Sequence, residues 1–192
     1  TSGEKRMLIV VTGGSGSGKS AYAEERICRL FKETEKRGEL LYIATMFPYD
    51  QESFVRIERH QKMRAGKGFR TVECYRDLAS LEIPEGSCVL LECMSNLVAN
   101  EMFQENGAKE NTVSQVITGV EHLLERAAHV CIVTNEIFSE EIPYAGDTRR
   151  YQGYLGGVNC ALGKRADQVV EVVYGIGILQ KGEQDEDFVE QF

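Results

Sequence analysis

The segment that most restricts what this chain can fold into is MLIVVTGGSGSGKSAYAEERICRLF, residues 7–31. A continuous apolar run of strand length enters a glycine-rich loop, and apolar residues at helical spacing leave it. Inside it, GGSGSGKS (residues 13–20) fits G-x-x-x-x-G-K-[ST], with Gly13, Gly18, Lys19 and Ser20 at the fixed positions. Such a loop bares the backbone N–H groups of Gly13, Gly14, Ser15, Gly16, Ser17 and Gly18 at a helix N-terminus, where they close around phosphate oxygens. Lys19 is then expected to reach the terminal phosphates and Ser20 to ligate magnesium. A merely flexible Gly-Ser turn has no need of a buried strand before it and a helix after it. Nucleoside triphosphate binding follows.

The remaining chain repeats the strand–helix alternation. Residues 7–12, 40–45, 87–93, 129–134 and 167–175 read as strands, mostly continuous apolar runs of the kind buried on both faces. Residues 19–36, 52–64, 94–103, 112–128 and 146–165 carry helical patterns. Residues 72–83 add a short strand and a helical turn, 175–181 a last strand after a glycine turn, and 105–111 a polar loop. The pattern predicts an α/β fold with a mostly parallel sheet flanked by helices. At 192 residues the chain predicts a single domain over residues 7–181, with residues 1–6 and 182–192 as flexible ends.

Charge excludes one broad class of partner. The net charge of −8 argues against nucleic acid as a partner. Five acids in the last eleven residues supply most of the excess, and subtracting them leaves about −3 for the body. None of the six cysteines forms a C-x-x-C pair, so reduced and mostly buried thiols are expected rather than disulfides or zinc. No apolar run approaches bilayer-spanning length, and MLIVV is too short for a signal-peptide core, so a cytoplasmic protein is expected.

Two further features carry chemistry. SCVLLEC (87–93) ends an apolar strand on Glu92, where a magnesium-coordinating or water-orienting carboxylate sits in phosphate-loop proteins; a helix N-cap or a solvated strand end is the alternative. RIERHQKMR (56–64) sets His60 among Arg56, Arg59, Lys62 and Arg64, with Arg56 and Arg64 four residues either side of it on one helical face. By residue type alone this is either a solvated basic helix, seated by Phe54 and Ile57, or a device for handling an anion. His122 and His129 have no such setting and read as helix-surface and strand-entry residues.

The ordered set GGSGSGKS, YIAT (42–45), RIERHQ (56–61), FRTVEC (69–74), LLEC (90–93), VTNE (133–136), GGVNCAL (156–162) and ADQV (166–169) resembles the bifunctional adenosylcobinamide kinase / adenosylcobinamide-phosphate guanylyltransferase family. The resemblance runs from about residue 7 to 181. It implies a P-loop fold of the RecA-like kind and a homotrimer with sites near subunit boundaries. It also implies two reactions. ATP or GTP phosphorylates the aminopropanol hydroxyl of adenosylcobinamide, and GTP then gives GMP to that phosphate, forming adenosylcobinamide-GDP and pyrophosphate. In the family the GMP passes through a covalent histidine adduct, and the matching position is His60. A neutral imidazole is a competent nucleophile at an α-phosphorus, and Arg56, Arg59, Lys62 and Arg64 would offset charge on the phosphates.

The chain departs from the family pattern in one region. Phe138 stands after TNEI, Pro143-Tyr144-Ala145 stands where P-E-N is common, and Gln152-Gly153 replaces an Arg-Asp pair. Arg149, Gly156, Asn159 and Asp167 keep their places, while Phe69 and Tyr75 occupy positions of expected tryptophans. Tyr42, Thr45, Asn135 and Glu136 fit either the neighbourhood of substrate or sheet-end packing. Three other readings stay open here: a guanylyltransferase lacking the kinase step, a nucleotide-dependent regulatory protein, and an unrelated small-molecule kinase. The second has no use for a nucleotide-carrying histidine and usually carries a base-reading N-K-x-D motif, which VTNEI (133–137) is not.

Overall fold

The computed structural model describes residues 5–35, 37–135 and 147–183. Its elements are β1 (Met7–Gly13), α1 (Lys19–Glu33), β2 (Leu40–Ala44), α2 (Gln51–Arg64), β3 (Arg70–Glu73), β4 (Cys88–Glu92), α3 (Met94–Phe103), α4 (Thr112–Arg126), β5 (His129–Asn135), α5 (Thr148–Arg165), β6 (Gln168–Val173) and β7 (Ile176–Lys181). Single 3-10 turns occupy Leu78–Ser80 and Lys109–Asn111, the latter inside the expected polar loop. The strands form one sheet in the order β3-β2-β4-β5-β1-β6-β7, parallel throughout except where β7 returns antiparallel along β6. The expected α/β architecture is therefore the observed one. The one shifted boundary of note is β3, which starts two residues earlier than its apolar pattern suggests, because an exposed edge strand needs no buried side chain at Arg70.

Alternation along each strand builds two cores. Leu8, Val10, Val89, Leu91, Val130 and Ile132 face α3, α4 and α5, where they meet Leu97, Leu123 and Val158. Ile9, Val11, Leu90, Cys131 and Val133 face the other way onto Ala23, Ile27 and Leu30 of α1. Every residue of β4 and β5 is buried, as continuous apolar runs require. Asp167 belongs to this scaffold. Its carboxylate accepts the N–H of Leu8 at 2.7 Å and its own N–H donates to Leu8 O at 2.9 Å, pinning β1 beside β6 at the end remote from the phosphate loop.

Several expectations are corrected by packing. Phe54 does not seat α2: it is 54% exposed, and the only buried side chain of that helix is Arg64, in its last turn. The helix is anchored by its C-terminal end, with Phe54 and Val55 of its N-terminal half exposed. His129 opens β5, the strand entry expected of it, and is buried there, while His122 shares a 2.6 Å hydrogen bond with the carbonyl of Leu81. All six cysteines are free; Cys74, Cys88, Cys93 and Cys131 are buried and Cys160 is exposed. Among the described residues no helix is long and apolar enough to cross a membrane. Glu136, Phe138 and the Pro143–Ala145 departure lie outside the described residues, as do residues 184–192 of the acidic tail.

Candidate active site

Parallel strands deliver their carboxyl ends to one edge of the sheet, and that edge holds the site. In register, Gly13 of β1 stands beside Asn135 of β5, and Ala44 of β2 beside Glu92 of β4. The phosphate loop bridges from β1 to α1 at this edge. Gly18 caps α1 with φ +91°, a left-handed conformation that L side chains rarely adopt. Gly13 is needed for a different reason. A Cβ there would fall 2.5 Å from Ser17 Oγ and 2.7 Å from the carbonyl of Val172. The N–H of Gly175, in the β6–β7 turn, donates to Ser17 O at 2.7 Å, so the hairpin buttresses the loop from behind.

A cavity of about 880 Å³ opens above the loop. Ser15 to Ser20 line one end of it, whereas Gly13 is closed off behind Ser17 and Gly14 contributes its carbonyl, which Lys19 Nζ approaches at 3.1 Å. Glu92 forms the floor. It is 6% exposed and accepts from two hydroxyls, Ser20 Oγ on Oε1 and the Tyr42 phenol on Oε2 at 3.0 Å. The Glu92–Cys93 peptide is cis, and Thr45 bonds both its ends: the Thr45 hydroxyl accepts from Cys93 N at 2.8 Å and Thr45 N donates to Glu92 O at 3.2 Å.

Helix α2 forms the opposite wall and brings His60 to the same carboxylate. His60 Nδ1 lies 3.4 Å from Tyr42 Oη and 3.7 Å from Glu92 Oε1. The neighbouring cations divide. Arg56 and Arg59 line the cavity, although Arg56 also pairs with Glu52 at 3.1 Å. Lys62 is turned away to Glu58, 3.3 Å distant, and does not line the cavity. Arg64 also lines the cavity while largely buried: its guanidinium carbon lies 3.4 Å over the Tyr42 ring, Nη2 donates to Thr71 Oγ1 at 3.3 Å, and Nε and Nη1 have no protein partner.

Tyr42 is the residue whose place the sequence left open between substrate and packing. Its buried phenol joins Glu92 to His60, and Phe69 packs edge-on against its ring at 6.2 Å. Burial, then the adjacent Glu92 carboxylate, push the phenol well above its usual pKa, so it is a proton donor at all working pH. A signal for it exists: Tyr42 sits in a strand buried on both faces, and a buried hydroxyl there needs a partner. Tyr75 packs against Phe47 at 5.1 Å near the mouth, Asn135 lines the far wall with its amide on Ser95 Oγ at 3.0 Å, and Asn159 accepts from Thr134 at 2.7 Å outside the cavity.

The family model described as cobinamide kinase / cobinamide phosphate guanyltransferase matches residues 9–179. The chain is 34% identical over 186 residues to the bifunctional adenosylcobalamin biosynthesis protein CobU of Escherichia coli, covering 90% of this chain and 98% of that protein. It is 29% identical over 180 residues to the bifunctional adenosylcobalamin biosynthesis protein CobP of Pseudomonas aeruginosa, covering 92% and 99%. Among solved structures, the flagellar accessory protein FlaH of Methanocaldococcus jannaschii superposes with a TM-score of 0.46 at 13% identity, covering 92% of this chain and 79% of that one.

Proposed function

The chain belongs to the cobinamide kinase / cobinamide phosphate guanyltransferase family, and we propose from that membership how its residues divide the two reactions. The protein is a bifunctional enzyme of adenosylcobalamin biosynthesis, a kinase and a guanylyltransferase. One observation carries the assignment of residues: His60, from α2, meets the same buried carboxylate that receives Ser20 of the phosphate loop.

In the kinase step the phosphate loop and Lys19 hold the triphosphate of ATP or GTP. The aminopropanol hydroxyl of adenosylcobinamide attacks the γ-phosphorus, the bond to the β,γ-bridging oxygen breaks, and the nucleoside diphosphate leaves; the hydroxyl proton departs to water. In the transferase step a His60 ring nitrogen attacks the α-phosphorus of GTP and the bond to the α,β-bridging oxygen breaks, releasing pyrophosphate. The phosphate of the acceptor then attacks the same phosphorus, the P–N bond breaks, and His60 recovers its electron pair. Arg56 and Arg59 line the cavity where charge builds on the phosphates, and they take the offsetting role. Arg64 lines the same cavity with Nε and Nη1 free of protein partners and joins them, whereas Lys62 pairs with Glu58.

Magnesium fits the donor set. The Ser20 hydroxyl and the Glu92 carboxylate touch, and one or two such oxygens beside nucleotide phosphates are what this ion accepts from protein. Among the described residues no cluster of three His, Cys, Asp or Glu side chains offers a dedicated cage. Bound there, the ion would neutralise phosphate charge. A cytoplasmic homotrimer completes the reading, and sedimentation of the purified protein measures the assembly.

The test uses GTP labelled at either the α- or the γ-phosphate, with magnesium, followed by a denaturing gel. Label retained only from α-labelled GTP, acid-labile, base-stable and lost in His60→Ala, is the expected result. A folded, GTP-binding protein that retains no label would remove His60 from the mechanism.

A further inference from the structure

We infer that Tyr42 is a positioning residue for the nucleotide-carrying histidine, fixing the tautomer of His60 so that Nε2 is the atom that attacks the α-phosphorus. The inference deepens the reading of His60 as the GMP carrier and rests on it.

The argument is a count of protons along one short chain of groups. Glu92 accepts from the Tyr42 phenol at 3.0 Å, and His60 Nδ1 lies 3.4 Å from the same phenol oxygen. The single phenol proton can serve only one of them. It goes to the nearer, anionic acceptor, since a charge-assisted hydrogen bond is shorter and about twice as strong as a neutral one. The phenol oxygen therefore presents a lone pair to Nδ1, and the other polar neighbour of Nδ1 among the described residues is the Glu92 Oε1 acceptor at 3.7 Å. Facing two acceptors, Nδ1 must carry the proton, which leaves the lone pair on Nε2. A partner on one ring nitrogen setting the state of the other is how metal-binding and catalytic histidines are oriented generally.

The surroundings hold Tyr42 for that task. Its ring is clamped between the Arg64 guanidinium at 3.4 Å and the edge of Phe69, and it is 3% exposed. In the reaction the Nε2–Pα bond forms while pyrophosphate leaves with its electron pair. The Nδ1 proton stays in place, and the positive charge it shares is stabilised by the Tyr42–Glu92 pair. When the acceptor phosphate displaces the P–N bond, the electron pair returns to Nε2 and the ring is ready again without any proton having moved.

The test combines two measurements on wild type and Tyr42→Phe, a variant that keeps the ring beneath Arg64. First, ¹⁵N-histidine NMR of the nucleotide-free protein reads the tautomer of His60, assigned among the three histidines by its loss in His60→Gln. The expected spectrum has the proton on Nδ1 in wild type and, with the 3.4 Å phenol gone and Glu92 left at 3.7 Å, a shift towards the Nε2-protonated form, the ordinary preference of a free histidine side chain, in Tyr42→Phe. Second, single-turnover labelling from α-labelled GTP is expected to slow roughly ten- to a hundredfold in Tyr42→Phe, with the wild-type phosphorus coupled to Nε2. Wild-type His60 protonated on Nε2, an adduct on Nδ1, or a Tyr42→Phe variant with unchanged tautomer and rate would each overturn the inference. If wild type forms no adduct at all, the proposed function fails, and the tautomer spectra still decide the role of Tyr42.

Discussion

Glu92 receives the hydroxyl of Ser20 across 72 positions of sequence, and that contact ties the phosphate loop to the end of the neighbouring strand. Because His60 reaches the same carboxylate, the acid stands between the two ends of the cavity. Glu92→Gln keeps the shape and removes the charge. Both half-reactions are expected to fall by roughly a hundredfold or more, read as phosphate transfer and GMP labelling on the same preparation. Loss of only one would mean that the carboxylate serves a single step.

The loop glycines separate by what a methyl group would meet. At Gly13 it would strike Ser17 and the Val172 carbonyl, whereas at Gly14 nothing lies within 4 Å. Gly13→Ala is expected to cost about 1–3 kcal/mol, lowering Tm by roughly 3–10 °C, and Gly14→Ala to stay within about 0.5 kcal/mol. Thermal melts of the two variants check this. Equal Tm values would show that the loop relaxes freely around Gly13.

Arg64 and Arg56 make opposite predictions about stability and catalysis. Arg64 is a buried cation with two N–H groups lacking a protein partner, so Arg64→Met is expected to hold or raise stability by about 1 kcal/mol. It should nonetheless slow GMP labelling, because Tyr42 loses the cation above its ring. Arg56→Ala, on an exposed helix face beside Glu52, is expected to leave Tm unchanged and to weaken GTP turnover alone. Denaturant melts with labelling rates on both variants decide.

The buried thiols predict an alkaline limit. Burial pushes Cys131 up to about 12 and Cys74 up to about 11, from 9.0 in the unfolded chain. Each is raised on folding, so the stability it contributes is fully present below pH 9 and is lost as the pH climbs through 11 and 12. Denaturant midpoints should therefore fall progressively above pH 9. At neutral pH a chromogenic aromatic disulfide should label exposed Cys160 first and reach Cys131 only on unfolding; early labelling of Cys131 would contradict its burial.

The strand, loop and helix over residues 7–31 were legible because each signal is local. An apolar run of strand length, glycines where the backbone must turn, and a 3.6-residue period are contained in neighbouring residues. Glu92 was legible for the same reason, standing at the end of an apolar run. His60 needed the family resemblance, since a histidine among arginines has two ordinary readings. Phe54 was misread because a helical period fixes which residues share a face and leaves open where that face meets the body.

By itself the sequence determined the elements, their order, the phosphate loop and the family. Only the tertiary structure decided the strand order, which brings residues 20, 42, 60 and 92 to one edge, and the use made of Tyr42, which no motif distinguishes from a core tyrosine. The physical reason is range. Secondary structure follows from interactions a few residues apart, whereas a hydroxyl shared between a carboxylate and an imidazole depends on where three separate elements meet, and packing settles that.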